Sequence, residues 1–233
     1  IEIDSGITLN IDPGTYVEFL DHYYLKIMGR LLANGAVNDS IIFTAKQLWP
    51  GWDRIIFQNT PVENDTSFLS YCKISHGHTS HSGGALYIER VDKLIVENCR
   101  ITDNRAGQYG GGVFCYYANP LFRNNIISKN YAEICGGGYS LRYSKPTIVD
   151  DLIYDNGTWN DGAGIYFEHN SDATITNTII RKNHDVNGGG GITCDSDSDP
   201  VFTNCIIYQN TSKYGADQVE LSPVGSNDPD FYY

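Results

Sequence analysis

The stretch GGGVFCYYANPLFRNNIISKN, residues 110–130, decides the fold because the chain repeats its pattern on both sides. Four other segments have the same order of glycines, short apolar runs and a closing asparagine: GGALYIERVDKLIVENCRITDN (83–104), GGGYSLRYSKPTIVDDLIYDN (136–156), GAGIYFEHNSDATITNTIIRKN (162–183) and GGGITCDSDSDPVFTNCIIYQN (189–210). The closing residues are 26 or 27 positions apart and are Asn104, Asn130, Asn156, Asn183 and Asn210. A period this constant indicates a repeat architecture.

Each repeat contains short runs of β-forming residues separated by Gly, Asn or Pro. In residues 110–130 these runs are Val113 to Cys115, Leu121 to Arg123 and Asn125 to Ile127, and none is long enough for a helix. The two-residue turns that close tight hairpins are missing, so a run cannot pair within its own repeat. Stacking each run on its counterpart predicts an all-β, single-stranded parallel β-helix of eight to nine coils, about 4.8 Å apart.

Positions that stay apolar from repeat to repeat predict the core. Along the chain direction these columns are Val113, Tyr139, Ile165 and Ile192; Cys115, Leu141, Phe167 and Cys194; Val96, Phe122, Ile148, Ile175 and Phe202; and Ile74, Ile101, Ile127, Ile153, Ile180 and Ile207. Successive side chains of a strand point to opposite faces. The neighbouring positions Phe114, Ser140, Tyr166 and Thr193 should therefore face solvent.

Asparagines mark two corners of each repeat. One set, at the bend after the second run, is Asn98, Asn124, Asp150, Asn177 and Asn204. The other set is the closing asparagines. Asn tolerates the left-handed backbone conformation and bonds neighbouring backbone groups, so both sets predict amide ladders with a structural role.

These motifs, GGGVF, NP, FRNNII and FTNCII, resemble the right-handed parallel β-helix of the pectate-lyase-like superfamily, and within it the glycine-rich repeat proteins of bacterial surfaces. The resemblance covers roughly residues 70 to 212, and residues 5–20, 29–45 and 51–57 look like the opening coils of such a helix. It implies one domain over 1–233, with atypical opening coils at 1–70, regular repeats at 71–212 and an end segment at 213–233. The fold hosts lyases, hydrolases, epimerases, adhesins and binding modules, so it does not choose a function.

The composition of the chain excludes some classes of binding partner. The formal charge is −12, with no stretch of clustered Lys and Arg, which argues against nucleic acid. No apolar run approaches the roughly 20 residues that a membrane span needs. We expect a monomer that is extracellular or on a cell surface, with its signal and any anchor outside this chain.

The six cysteines predict buried side chains rather than a disulfide scaffold. Cys72, Cys99 and Cys205 share one column, and Cys115 and Cys194 share another. Cys72 and Cys99 fall on adjacent coils, within reach of a disulfide. Stacked side chains point in parallel rather than towards each other, so free thiols are favoured.

Outward aromatic residues are the first candidate site. We predict glycan binding by Tyr87, Phe114, Tyr116 and Tyr166, because a tyrosine ring offers a sugar a flat apolar face and a polar edge. A second outward row holds Tyr154 and Tyr208 beside Ile126, Leu152, Ile179 and Ile206, and Trp49, Trp52 and Trp159 lie in loops. A covering loop is the competing explanation for such rows.

The acidic string CDSDSDP (194–200) is the second candidate. Glu168, Asp195, Asp197 and Asp199 can offer oxygen ligands to Ca²⁺, although a solvated loop is the simpler interpretation. The resemblance to the pectate-lyase-like superfamily implies that such a cation neutralises the carboxylate of a uronate and that an Arg or Lys abstracts the adjacent proton. In this chain Arg142 or Lys145 would be that base. His76, His78 and His81 form a third polar cluster, which we interpret as a loop.

Three functions follow from these patterns. The first is a non-catalytic surface module that binds a polysaccharide, a cell-surface glycan or a partner protein, with no required cofactor. The second is a Ca²⁺-dependent polysaccharide lyase. The third is a structural spacer of a larger surface protein.

Overall fold

The computed structural model describes residues 1–61 and 63–233. Within them the chain forms strands and no helix, and every pairing between the strands is parallel. The strands stack into four sheets, A to D, which run along the axis of a solenoid. Coils are numbered here by their strand in sheet A, from coil 1 to coil 9. The predicted all-β parallel β-helix is therefore confirmed.

Sheet A has nine strands in the described residues: Glu2–Ile3, Leu25–Ile27, Ile55–Gln58, Leu86–Glu89, Val113–Tyr116, Tyr139–Arg142, Ile165–Glu168, Ile192–Cys194 and Val219–Leu221. Sheet B also has nine there: Thr8–Ile11, Arg30–Asn34, Ser67–Ser70, Leu94–Glu97, Leu121–Arg123, Thr147–Val149, Thr174–Thr176, Val201–Thr203 and Asp230–Tyr232.

Sheet C has eight strands in the same part of the chain: Tyr16–Phe19, Ile41–Ala45, Cys72–Ser75, Arg100–Thr102, Ile126–Ser128, Leu152–Tyr154, Ile179–Arg181 and Ile206–Tyr208. Sheet D is narrower, with six two-residue strands there: His78–Thr79, Arg105–Ala106, Tyr131–Ala132, Gly157–Thr158, His184–Asp185 and Thr211–Ser212. Three runs per repeat were predicted, and sheet D adds a fourth.

The predicted register is correct in all three wide sheets. Val113 pairs with Tyr139, Tyr139 with Ile165 and Ile165 with Ile192, and all four side chains are fully buried. The isoleucine column of sheet C pairs from Ile74 through to Ile207, which is half-buried at the last coil of that sheet. The strands in residues 5–57 pair in the same sheets, so the opening coils continue the regular repeats.

The closing asparagines form the predicted ladder and are buried. Each side-chain NH₂ donates both to the carbonyl of an isoleucine in sheet C and to the Oδ1 of the next asparagine, at 2.9–3.2 Å. The ladder ends where Asn210 donates to Oε1 of Gln218 at 2.9 Å.

The left-handed backbone was predicted at both sets of asparagines and holds for one. Asn98, Asn124, Asp150, Asn177 and Asn204 have φ between 51° and 57°. At the other corner the left-handed residues are those just before the closing asparagines, namely Asp103, Lys129, Asp155, Lys182 and Gln209. The turn is made one residue earlier because the closing asparagine must point inward to reach the isoleucine carbonyl.

A second buried column follows the corner between sheets B and C, and it contains Cys72, Cys99, Asn125, Asp151, Thr178 and Cys205. Four of them, Cys99, Asn125, Asp151 and Thr178, accept a hydrogen bond from the backbone N–H one coil earlier; for example, the N–H of Asn125 donates to Oδ1 of Asp151 at 2.7 Å. Cys72 and Cys99 are thiols that donate to different carbonyl oxygens, those of Ala33 and Leu69. Cys72, Cys99 and Cys205 therefore share one column as free thiols, as predicted.

No helix in the described residues is long and apolar enough to cross a membrane.

Candidate functional site

The outer face of sheet A carries two rows of side chains. One row, the second residue of each strand, contains Tyr87, Phe114, Ser140, Tyr166 and Thr193. The prediction that Phe114, Ser140, Tyr166 and Thr193 face solvent is wrong, because these four side chains are no more than 5% exposed. Tyr87 is half-buried.

Glycine turns cover this row. The segment that enters sheet A folds over the outside of the strand, with its first glycine directly on the row. Gly136 has φ 72°, and a Cβ there would lie 2.5 Å from the carbonyl oxygen of Tyr139 and 2.6 Å from Cβ of Ser140. Gly110 stands in the same relation to Phe114, at 2.9 Å. The GGG motif therefore lets the chain close over its own sheet.

The other row, the fourth residue of each strand, is polar; Gln58, Tyr116, Arg142 and Glu168 are half-buried, whereas Glu89 is buried. Glu89 is its best-satisfied member, since it accepts hydrogen bonds from Gln58, Tyr87 and Arg90. Burial, followed by the nearby Glu89 carboxylate, raises the pKa of Tyr87 to about 12. The tyrosine therefore keeps its proton and donates.

Farther along this row, Arg142 and Glu168 form an ion pair on adjacent coils. The Nε of Arg142 lies 3.3 Å from Oε2 of Glu168, and its Nη2 lies 3.2 Å from Nε2 of His169. Burial raises the pKa of Glu168 above its ordinary value, and Arg142 opposes that shift. Tyr166 donates to Oδ2 of Asp195 at 2.9 Å just beyond this pair.

A pocket of about 390 Å³ opens in this face over coils 3 to 6. Its lining combines tyrosine rings, two guanidinium groups and neutral polar side chains. The lining residues are Arg54, Ile56, Gln58, His81, Ser82, Tyr87, Gln108, Phe114, Tyr116 and Arg142. Of the four predicted glycan-binding residues, Tyr87, Phe114 and Tyr116 meet here and Tyr166 lies outside the lining.

An aromatic stack borders the pocket at the corner between sheets A and B. The rings of Tyr117 and Tyr143 are 4.5 Å apart and nearly parallel, and His169 continues the stack at 4.8 Å. Arg90 lies over the other side of Tyr117, at 5.4 Å. Sequence reasoning missed this stack, although the 26-residue spacing of Tyr117 and Tyr143 was a signal for it.

Each of the four predicted calcium ligands has a partner within the protein. Asp197 accepts a hydrogen bond from the N–H of Ser226, and Asp199 accepts one from the N–H of Asp228, at 2.7 and 2.6 Å. Glu168 faces Arg142, and Asp195 faces Tyr166. Within residues 1–61 and 63–233, no group of three or more His, Cys, Asp or Glu side chains has an arrangement that could hold a metal ion. The calcium site stays a prediction.

Both candidate bases carry carboxylate partners. Nζ of Lys145 lies 2.6 Å from Oδ2 of Asp172, and Arg142 is paired with Glu168. A side chain that is engaged by a carboxylate is not positioned to abstract a proton from a substrate. The lyase chemistry is therefore not favoured by this arrangement.

The three tryptophans that were predicted to lie in loops differ in burial. Trp52 is fully buried and stacks on Phe19 at 4.3 Å, so it belongs to the core, whereas Trp49 and Trp159 are exposed. The outer row of sheet C runs through Ile126, Leu152, Ile179 and Ile206 in register, as predicted. The three histidines have separate partners, with His76 at Thr44 and His78 at Pro50, while His81 lines the pocket.

A coiled stack of parallel sheets with inward apolar columns and asparagine ladders defines a parallel β-helix protein. The family model described as "Right handed beta helix region" matches residues 61–223, which is more than half of the chain. The chain therefore belongs to this right-handed β-helix family, as the resemblance indicated. It shows no significant similarity to a curated protein or to a solved structure.

Proposed function

We propose that this protein is a non-catalytic module that works outside the cell and binds a glycan chain on the outer face of sheet A. The observation that carries the proposal is the pocket over coils 3 to 6, where the half-buried rings of Tyr87 and Tyr116 meet polar side chains. Sugar sites combine flat aromatic surface with a few placed hydrogen-bond donors and acceptors.

The pocket has the right scale and chemistry for part of a sugar chain. Its volume of about 390 Å³ is at the small end of ligand sites, which span roughly 300–1,000 Å³. Gln58 and Gln108 each offer both a donor and an acceptor, as neighbouring sugar hydroxyls require. The edge formed by Tyr117 and Tyr143 continues along the axis, so a chain longer than the pocket can lie across the coils.

A partner protein would use a different surface. The outer row of sheet C is apolar and only partly covered, and Ile206 is 55% exposed. A stable protein interface buries about 800 Å² on each partner and needs more than one row of side chains. The pocket on sheet A is therefore the better-supported site.

The proposal is tested by affinity electrophoresis in gels that contain pectate, alginate, a glycosaminoglycan or a neutral β-glucan, together with pelleting on insoluble glycans. The test variant is Tyr116→Ala. Its matched control is Tyr154→Ala, since both tyrosines are half-buried on outer sheet faces and both face an arginine, at 5.9 Å for Arg90 and 5.3 Å for Arg181.

We expect the parent and Tyr154→Ala to be retarded by the same glycan and Tyr116→Ala to bind it about tenfold more weakly, because about 1.4 kcal/mol of ring contact is lost. Equal loss in both variants would contradict a site on sheet A. A Ca²⁺-dependent rise in ultraviolet absorbance from unsaturated uronate would instead show a lyase. Retardation by none of the glycans would leave the spacer function.

A further inference from the structure

We infer that the pocket on sheet A takes an anionic sugar unit, one that carries a carboxylate or a sulfate ester, and that Arg54 and Arg142 bind the anionic group. This inference rests on the proposed glycan-binding function and names the class of sugar. It comes from the polarity of the pocket lining, which differs from that of the whole chain.

The chain is acidic, with 28 Asp and Glu residues against 16 Lys and Arg residues. Among the described residues that line the pocket, two are arginines, one is a histidine, and none is a carboxylate. Three acidic residues of the same face lie beside the lining. Asp53 and Glu168 are paired with the two arginines, and their side chains are only 15% and 14% exposed, while Glu89 accepts hydrogen bonds from Gln58, Tyr87 and Arg90. The pocket lining thus offers guanidinium donors to a ligand, and the neighbouring carboxylates are outside the lining.

Arg54 is a buried member of the pocket lining. It is 9% exposed, and its guanidinium carbon lies 5.5 Å from the centroid of the Tyr87 ring. One terminal nitrogen contacts Thr79 and lies 3.2 Å from Oδ1 of Asp53. The Nε–H is buried and has no hydrogen-bond partner among the described residues. A buried donor without an acceptor is rare in proteins, and an anionic group in the pocket would supply the acceptor.

Arg142 lines the other side of the pocket from sheet A, and its side chain is 33% exposed. Its Nη2 contacts Nε2 of His169, and its Nε lies 3.3 Å from Oε2 of Glu168 but makes no hydrogen bond among the described residues. A guanidinium group has five N–H donors, so donors remain for a ligand. The planar fork of arginine matches both a carboxylate and a sulfate, and pairs of such bonds are the strong ones.

The rings of Tyr87 and Tyr116 indicate that the anionic group is a substituent of a sugar. They flank the arginines within one lining, so a ligand that reaches Arg54 and Arg142 also contacts aromatic surface. A free inorganic anion would use the guanidinium groups alone. A sugar unit with a charged substituent uses both parts of the pocket.

The test is isothermal titration calorimetry with the intact chain in the presence of a chelator. Three probes separate the sources of charge: an oligogalacturonate, the same oligomer with its carboxyl groups reduced to alcohols, and a sulfated galactan oligomer of equal length. The variants are Arg142→Gln and Arg54→Gln. The control is Arg123→Gln, because Arg123 is an exposed arginine on sheet B that pairs with Glu97 one coil earlier, as Arg142 pairs with Glu168 one coil later.

We expect at least one acidic probe to bind the parent at least tenfold more tightly than the reduced oligomer, and to bind less tightly as salt is raised. Arg142→Gln should weaken binding of that probe about 10- to 100-fold, the loss of a charge-assisted hydrogen bond, and weaken binding of the reduced oligomer by a clearly smaller factor. Arg123→Gln should match the parent. Whichever acidic probe binds identifies carboxylate or sulfate as the group.

Equal affinity for the acidic and the reduced oligomer would overturn the inference and leave glycan binding intact. Binding of no probe, together with no retardation in the gels, would overturn both. Arg54 is buried, so Arg54→Gln is used only if its thermal unfolding midpoint equals that of the parent. Arg142→Gln decides the inference in either case, and unchanged affinity for the acidic probe in that variant would refute it.

Discussion

Two ladders of side chains run along this β-helix with the same spacing, one made of asparagine throughout and the other of asparagine with a single aspartate, Asp150, and they differ in burial. The inner ladder of closing asparagines, from Asn104 to Asn210, is at most 1% exposed. The outer ladder at the corner between sheets B and C, from Asn98 to Asn204, lies mostly on the surface, although its amides also bond each other, with 2.8 Å from Asn204 to Asn177.

The difference shows that a ladder stabilises the fold through the buried backbone groups to which its side chains hydrogen-bond. Each inner asparagine bonds a carbonyl and a backbone N–H that water cannot reach, and an unsatisfied buried group costs about 1–3 kcal/mol. An outer asparagine bonds groups that water can serve equally well. Its main contribution is a left-handed backbone, which costs other residues about 1–2 kcal/mol.

Breaking the inner ladder should have the largest effect. In Asn156→Ala the carbonyl of Ile127 loses its donor, and the backbone N–H and the side-chain NH₂ of Asn130 lose their acceptor. We expect the free energy of unfolding to fall by about 4–6 kcal/mol, which lowers the thermal midpoint by roughly 10–20 °C. Circular dichroism melting measures this, and a midpoint within a few degrees of the parent would contradict a structural role for the ladder.

A charge in the neighbouring buried column should have the next largest effect. Asp151 is 2% exposed and accepts hydrogen bonds from Asn125 and from the hydroxyl of Tyr139, the latter at 2.7 Å. Burial raises the pKa of this carboxyl from 3.8 to about 7. Because the folded-state pKa is the higher one, the stabilising contribution is present below about pH 4 and is lost as the pH rises towards 7.

Asp151→Asn should remove that loss, since its neighbour Asn125 already shows that an amide fits the column. We expect the variant to gain about 2–4 kcal/mol relative to the parent between pH 4 and pH 8, an upper range for a shift of this size. Urea unfolding at several pH values provides the curve. Asp185, whose pKa burial also raises to about 7, keeps its share of the slope in both proteins. A difference that does not vary with pH would count against the buried charge.

Breaking the outer ladder should have the smallest effect. Asn177 has φ 52°, bonds Asp150 and Asn204, and is exposed. Asn177→Ala should cost about 1 kcal/mol, mostly as backbone strain, and Asn177→Gly should stay within about 0.5 kcal/mol of the parent because glycine adopts this conformation freely. Equal destabilisation by Asn177→Ala and Asn156→Ala would remove the distinction between the ladders.

The fold could be predicted because the repeat presents the same position many times. One apolar residue means little, but isoleucine at 74, 101, 127, 153, 180 and 207 identifies an inward column. The period also identifies which residues pair. The narrow sheet D was not predicted, because its two-residue strands, such as Tyr131–Ala132, carry no periodic pattern of their own.

The candidate site was predicted only in part. Tyr87 and Tyr116 were assigned to the outer face and line the pocket, and Arg142 was singled out for a different role. Arg54 was not singled out at all. It lies in an opening coil outside the regular repeats, where the alignment of columns that revealed the other positions does not reach.

The sequence by itself determined the coil length, the parallel pairing and the inward columns, because each of these follows from a local pattern that recurs at a constant spacing. Only the tertiary structure decided which outward residues are free. Phe114 and Tyr116 are both outward aromatic residues of the pocket lining, two positions apart, yet the glycine turn at Gly110 buries the first, and the second stays half-exposed. The physical reason is that alternation along a strand specifies the direction of a side chain, whereas its exposure depends on where a neighbouring segment of backbone packs.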